Sequence, residues 1–288
     1  MKEQITLNQI KTFRESYIKN SNNKIIENEI TKKGIAENSI DSKVIEENPP
    51  IFNIELPDGK IYDQKDSLRC WIYSGLNFIK RDMAKNLNMN IFEFELSPTF
   101  IAFYDRLEKA NTLYNNVINK NIDLKNINKD RYFDEPAHEK GRFESFRAIV
   151  NKYGIVPCSV MPDTKDSLNS ETFNLIFNEK IKKDCVEILE CKKSGKDCYK
   201  LKSDFLCEDY ELLCKILGQP CEKFDFTYTD LKNKNVTLKN ITPLQFKEEF
   251  LNIDLDDYIC ILSIENYDRE FNVKYRKNEK EIFIKNHL

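Results

Sequence analysis

Apolar residues recur every three to four positions along most of this chain, the spacing that lays a stripe along one face of an α-helix. Ile5, Leu7, Ile10, Phe13 and Tyr17 predict a first helix, with Thr6 or Asn8 placed to cap it. The stripe then lapses. Residues 23–50 are polar, rich in Asn and Glu, end at Pro49-Pro50, and read as an extended arm. Phe52-Asn53-Ile54-Glu55-Leu56 alternates as a short strand before the turn Pro57-Asp58-Gly59. Helical spacing returns with Trp71, Ile72, Leu76, Phe78, Ile79 and Met83. It returns again after Ser97-Pro98, a capping residue followed by a first-turn proline, through Phe100, Ile101, Tyr104, Leu107, Leu113 and Tyr114.

Another helix is predicted through Phe146, Ile149 and Val150, closed by Gly154 and an extended Val156-Pro157. Residues 165–222 read as helices in a Lys/Glu-rich setting, clearest over 173–183 and 208–217. Phe224 to Tyr228 alternates as a strand, Thr242-Pro243 opens a helix through Phe246 and Phe250, and residues 271–275 and 282–284 flank a hairpin turn at 277–280. There is no internal repeat.

Length and charge narrow the function. A chain of 288 residues buries a sizeable core, and 45 basic against 48 acidic side chains give a net charge of −3. No global basic field invites nucleic acid or an anionic membrane. Met1-Lys2-Glu3-Gln4 is not followed by the apolar run of a signal peptide, no window approaches a membrane span, and the expected location is cytoplasmic. Six of the nine cysteines, Cys185, Cys191, Cys198, Cys207, Cys214 and Cys221, fall within 37 residues, yet no pair is spaced C-x2-C and histidines number two. No metal or other cofactor is expected, and these cysteines read as reduced, small apolar fillers.

The candidate chemistry lies in Asp63-Gln64-Lys65-Asp66-Ser67-Leu68-Arg69-Cys70-Trp71, a polar turn running into an apolar helix. Unsatisfied backbone N–H groups and the helix dipole favour an anion at a helix start, the setting in which a cysteine serves as a nucleophile. Gln64, six residues before Cys70, is placed to offer an amide donor to an oxyanion forming beside the sulfur, together with the Cys70 N–H. The alternative is a buried structural cysteine beside a core tryptophan.

Gln-x5-Cys-Trp followed by a small residue resembles the nucleophile segment of papain-like cysteine peptidases. Asp63-Gln64-Lys65, Arg69 and Gly75-Leu76-Asn77 resemble more specifically the bleomycin hydrolase or aminopeptidase C branch, as do Glu95 to Phe100, Phe103 to Asn111 and Leu255-Asp256-Asp257-Tyr258. The resemblance implies an α+β, papain-like fold: N-terminal helix and arm (1–58), helical first lobe (59–164), then a helical insertion and an incomplete second, β-rich lobe (165–288). It implies a thiol aminopeptidase acting on peptide substrates through an acyl-enzyme, with Cys70 as nucleophile, Gln64 as oxyanion donor, and Gly141 and Trp71 binding substrate. It also implies a homohexamer.

Several positions depart from the pattern. Leu68 stands where the family carries glycine, Lys140 replaces the first glycine of a Gly-Gly pair of which Gly141 is the second, and Arg142-Phe143 replace Gln-Trp. The family's catalytic His and Asn lie downstream of the Leu255–Tyr258 segment, beyond the last residue here. Neither His138, in a polar loop, nor His287, next to the end, stands at the family's base position. The expectation is a peptidase of impaired activity; the alternative is a catalytically inactive relative acting as an assembly or binding subunit.

Overall fold

The computed structural model describes residues 4–57, 59–119, 133 and 136–258, together with the backbone of 260–265, 271–277 and 280–285. The chain forms two compact units, one ending at Leu56 and one beginning at Pro57.

The first unit is helical. A capping box starts α1 (Leu7–Lys19), in which the Gln9 N–H donates to Thr6 and the Thr6 N–H donates to the Gln9 side chain. The segment expected to be extended is instead α2 (Ser21–Asn38) and α3 (Ser42–Glu47). Two side-chain caps explain the difference: Asn20 accepts from the Asn22 N–H and Asp41 from the Lys43 N–H. Pairs within the helix add to them, Lys33 with Glu29 and Lys24 with Glu27. Helix formation here follows capping and local charge pairing, and α2 and α3 bury no residue. Gly34, at φ 80°, interrupts α2 where only glycine is unstrained. Tyr17 links α1 to α2, its hydroxyl donating to Glu27 at 2.6 Å. Residues 52–56 form no strand.

In the second unit α4 (Cys70–Asn86), α5 (Pro98–Asn119) and α6 (Phe143–Tyr153) pack together, Ile72, Ile79 and Met83 meeting Phe100, Phe103, Phe146 and Ile149 in one core. Ser97 caps α5 by accepting from the Phe100 N–H. Gly75 lets α4 approach α6 closely, since a β-carbon there would sit 2.6 Å from the Phe146 ring. The single turn α7 (Lys165–Leu168) leads to α8 (Glu171–Lys193) and α9 (Cys198–Leu217), which pack on α5 through Phe177, Ile181, Ile188 and Leu213.

The antiparallel hairpin of β1 (Phe224–Thr229) and β2 (Asn235–Ile241) follows. Next comes α10 (Pro243–Phe250), opened by a Thr242–Gln245 capping box. Gly154, at φ 80°, ends α6 where a β-carbon would strike the Pro243 carbonyl, so this helix end and the start of α10 touch backbone to backbone. A 3-10 turn (Leu255–Asp257) sets Tyr258 edge-on to Phe78 of α4. The antiparallel strands β3 (Cys260–Glu265), β4 (Phe271–Lys277) and β5 (Lys280–Lys285) complete an α+β architecture, with the expected final hairpin as β4 and β5.

Candidate active site

Cys70 is the first residue of α4, a helix whose next three residues are buried, and it is itself exposed. No side chain caps this helix start. The turn is held instead by the two residues before the cysteine, each tied to a different part of the fold.

Arg69 is 2 % exposed. Its guanidinium donates to Ser67 Oγ at 3.2 Å, Thr99 Oγ1 at 3.4 Å and Tyr73 OH at 3.3 Å, and pairs with Asp163 at 3.3 Å. Thr99 and Ser167 also donate to Asp163, so the acceptor is fixed by α5 and α7. Leu68 has a backbone N–H that donates to Glu139 Oε2 at 3.1 Å. Its side chain is exposed and its φ is not positive, so glycine is not required there.

Glu139, 71 residues from Leu68, is the hub that sequence reasoning missed. Its carboxylate is buried, pairs with Arg106 at 3.0 Å and accepts from Ser170 at 2.5 Å. Burial alone would raise this carboxyl's pKa, but the Arg106 charge and the bonds from Ser170 and the Leu68 N–H outweigh it, holding the group below the ordinary range. The segment around it is strapped by its carbonyls. Trp71 Nε1 donates to the Glu139 carbonyl at 2.6 Å, and Lys109 Nζ donates to the carbonyls of His138 at 2.6 Å and Lys140 at 3.0 Å. Asp105 in turn pairs with Lys109 at 2.6 Å. Buried charges in α5 were a signal open to inspection, since Asp105, Arg106 and Lys109 interrupt an otherwise apolar stripe.

Trp71 and Gly141 meet directly: a β-carbon at position 141 would lie 2.4 Å from Trp71 Cε2. Glycine therefore lets backbone lie against the indole face, and the lysine at 140 leaves that contact intact. Trp71 is nearly buried and supports the segment from beneath. Gln64 is half-buried at the head of the nucleophile turn, where its carbonyl accepts from Ser67 at 2.7 Å. Its side-chain oxygen is buried without a hydrogen-bond partner among the described residues.

His138 is exposed, and His287 lies outside the described residues. Among the described residues no group of three or more His, Cys, Asp or Glu is arranged to hold a metal, and no helix is long and apolar enough to cross a membrane.

A family model described as the Peptidase C1-like family matches residues 4–284. Aminopeptidase C of Listeria innocua is 32% identical over 278 residues, covering 94% of this chain and 62% of the relative. Aminopeptidase E of Lactobacillus helveticus is 30% identical, covering 93% and 62%. The crystal structure of PepW from Lactobacillus rhamnosis HN001 superposes with a TM-score of 0.78 at 28% identity, covering 91% of this chain and 60% of that one. The chain thus spans about three-fifths of the length of these relatives. An exposed cysteine opening a buried helix and a glycine laid on the adjacent indole accompany a family match over nearly the whole sequence, and the chain belongs to the Peptidase C1-like family.

Proposed function

We propose that this chain carries the nucleophile of a cysteine-type aminopeptidase and that Cys70 attacks the first peptide bond of a substrate. The carbonyl oxygen then takes up negative charge and is met by the Cys70 N–H and the Gln64 amide. The C–N bond breaks, the shortened peptide leaves as an amine, and water releases the amino acid from the thioester. The Gly141 backbone, set against Trp71, is where the substrate main chain would lie. The general base is the histidine that family resemblance places downstream of residues 255–258; without such a group turnover falls by about two to four orders of magnitude.

The observation that carries the reading is an exposed Cys70 on a helix start whose preceding turn is anchored by Arg69 and Glu139. The names of the relatives, aminopeptidases C and E, support the substrate class. We extend the proposal to a cytoplasmic homohexamer; apolar side chains exposed along α1 and α2, among them Leu7, Phe13, Ile18 and Ile25, support assembly through the first unit.

Release of aminocoumarin from aminoacyl-aminocoumarin substrates tests the reaction, with Cys70→Ala as control. Equal, slow release by both proteins ends the peptidase reading. A silent assembly or binding subunit is then the better description. One feature favours it: the unpartnered Gln64 oxygen leaves the amide unclamped in the orientation an oxyanion donor needs.

A further inference from the structure

Far along the sequence from the nucleophile, the turn between α8 and α9 brings two cysteines together. Cys191 lies in the last turn of α8 and Cys198 is the first residue of α9. Cys198 Sγ reaches back to the Ile188 carbonyl at 3.8 Å, one helical turn before Cys191, and Cys191 Sγ reaches the residue next to Cys198. The two sulfurs also point at neighbouring carbonyls of the same turn, Cys191 Sγ at 3.8 Å from the Asp197 oxygen and Cys198 Sγ at 3.4 Å from the Lys196 oxygen.

The turn is already folded for this approach. The Ser194 N–H donates to the Glu190 carbonyl, the Gly195 N–H to Lys192 and the Lys196 N–H to Cys191, while Gly195 takes the positive φ of 68° that the reversal needs. Asp197 then caps α9 by accepting from the Tyr199 N–H at 2.9 Å. A link between the sulfurs would therefore join two points that the backbone already holds close.

We propose that Cys191 and Cys198 form a redox-responsive dithiol, closed to a disulfide by hydroperoxides and reopened by small-molecule thiols. The two sulfurs have different parts. Cys191 is half-exposed and lines an open surface cleft with Ser194, Lys196 and Lys200, so a peroxide reaches it first. Cys198 is buried against the Ile188 carbonyl and is reached through its neighbour. Burial pushes the Cys198 thiol up to about 11, so at neutral pH it is protonated and the less reactive of the two toward peroxide.

In the first step the Cys191 sulfur takes one oxygen of hydrogen peroxide, the O–O bond breaks, and Cys191–SOH and water form. In the second, the Cys198 sulfur displaces that hydroxyl, the S–S bond forms and a second water leaves. Two electrons pass from the two sulfurs to the peroxide. Two molecules of a small thiol return the pair to the reduced form by exchange, becoming a disulfide themselves.

Peptide mapping of the full chain tests this. Lys192, Lys193 and Lys196 lie between the two cysteines, so trypsin places them on separate peptides unless a disulfide joins them. After hydrogen peroxide and alkylation of remaining thiols, the expected result is one peptide pair linked through Cys191 and Cys198, lost on treatment with dithiothreitol. In Cys198→Ser, dimedone should trap the sulfenic acid at Cys191. Mapping of the wild type decides by itself if that variant does not fold. The proposal is overturned if Cys191 proceeds to sulfinic acid while Cys198 stays alkylatable, if either cysteine is linked instead to Cys185, Cys207 or Cys214, or if neither reacts. None of these readouts depends on peptidase activity.

Discussion

Replacing Glu139 with alanine is expected to loosen the nucleophile turn and the segment facing it together. The side chain lost pairs with Arg106, which is 2 % exposed, and accepts hydrogen bonds from Ser170 and from the Leu68 N–H. Removing one member of a buried, hydrogen-bonded ion pair costs about 3–5 kcal/mol, because the remaining charge stays buried without compensation. At a urea slope of about 3 kcal/mol per molar, such a loss displaces the midpoint by more than about 1 M. The chain has one tryptophan, Trp71, whose indole donates to the Glu139 carbonyl, so its emission reports both unfolding and local loosening. Glu139→Gln keeps the shape and the acceptor while removing the charge, and should fall between wild type and alanine.

The linkage has a definite sign. The folded carboxyl is held below its ordinary value, so the unfolded chain binds more protons as acid is added, and the Glu139 contribution is lost as pH falls below about 4.5. An alanine variant within about 0.5 kcal/mol of wild type at neutral pH, the range of an ordinary surface change, would refute the assignment of Glu139 as a hub.

Gly141→Ala must push the segment off the indole, at an overpacking cost of about 1–3 kcal/mol; the checks are a shifted Trp71 emission and loss of aminocoumarin release. Tyr114→Phe removes a hydroxyl that lies within hydrogen-bonding distance of both Asp184 (2.7 Å) and Asp209 (2.9 Å) and shares its one proton between them, and should lower stability by about 1–3 kcal/mol in urea unfolding without changing the alkylation rate of Cys70. Gly75→Ala places a methyl group against the Phe146 ring and should lower the midpoint of thermal unfolding, with the helix content of the folded state unchanged.

Local chemistry carried much of the reading from sequence. Ser97-Pro98, Thr242-Pro243-Gln245 and Gly154 act within one helical turn, and the structure uses each of them as written. The helical period from Trp71 to Met83 likewise marks the face that becomes buried. The helices at 21–38 and 42–47 carry no regular apolar stripe, whereas α1, which also buries nothing, keeps one and is legible from it. Capping by Asn20 and Asp41, with oppositely charged pairs at helical spacing such as Glu29–Lys33, marks them locally.

By itself the sequence determined which residues open and close helices, where the apolar faces run, and that a cysteine stands at a helix start beside a tryptophan. The tertiary structure alone decided what holds that start in place: Arg69 against Asp163, the Leu68 N–H on Glu139, Lys109 on the carbonyls of 138 and 140. These partners are separated by 94, 71 and about 30 residues. A buried charge is tolerated only when the fold brings its counterpart to it, and no spacing along the chain records which distant residue that will be.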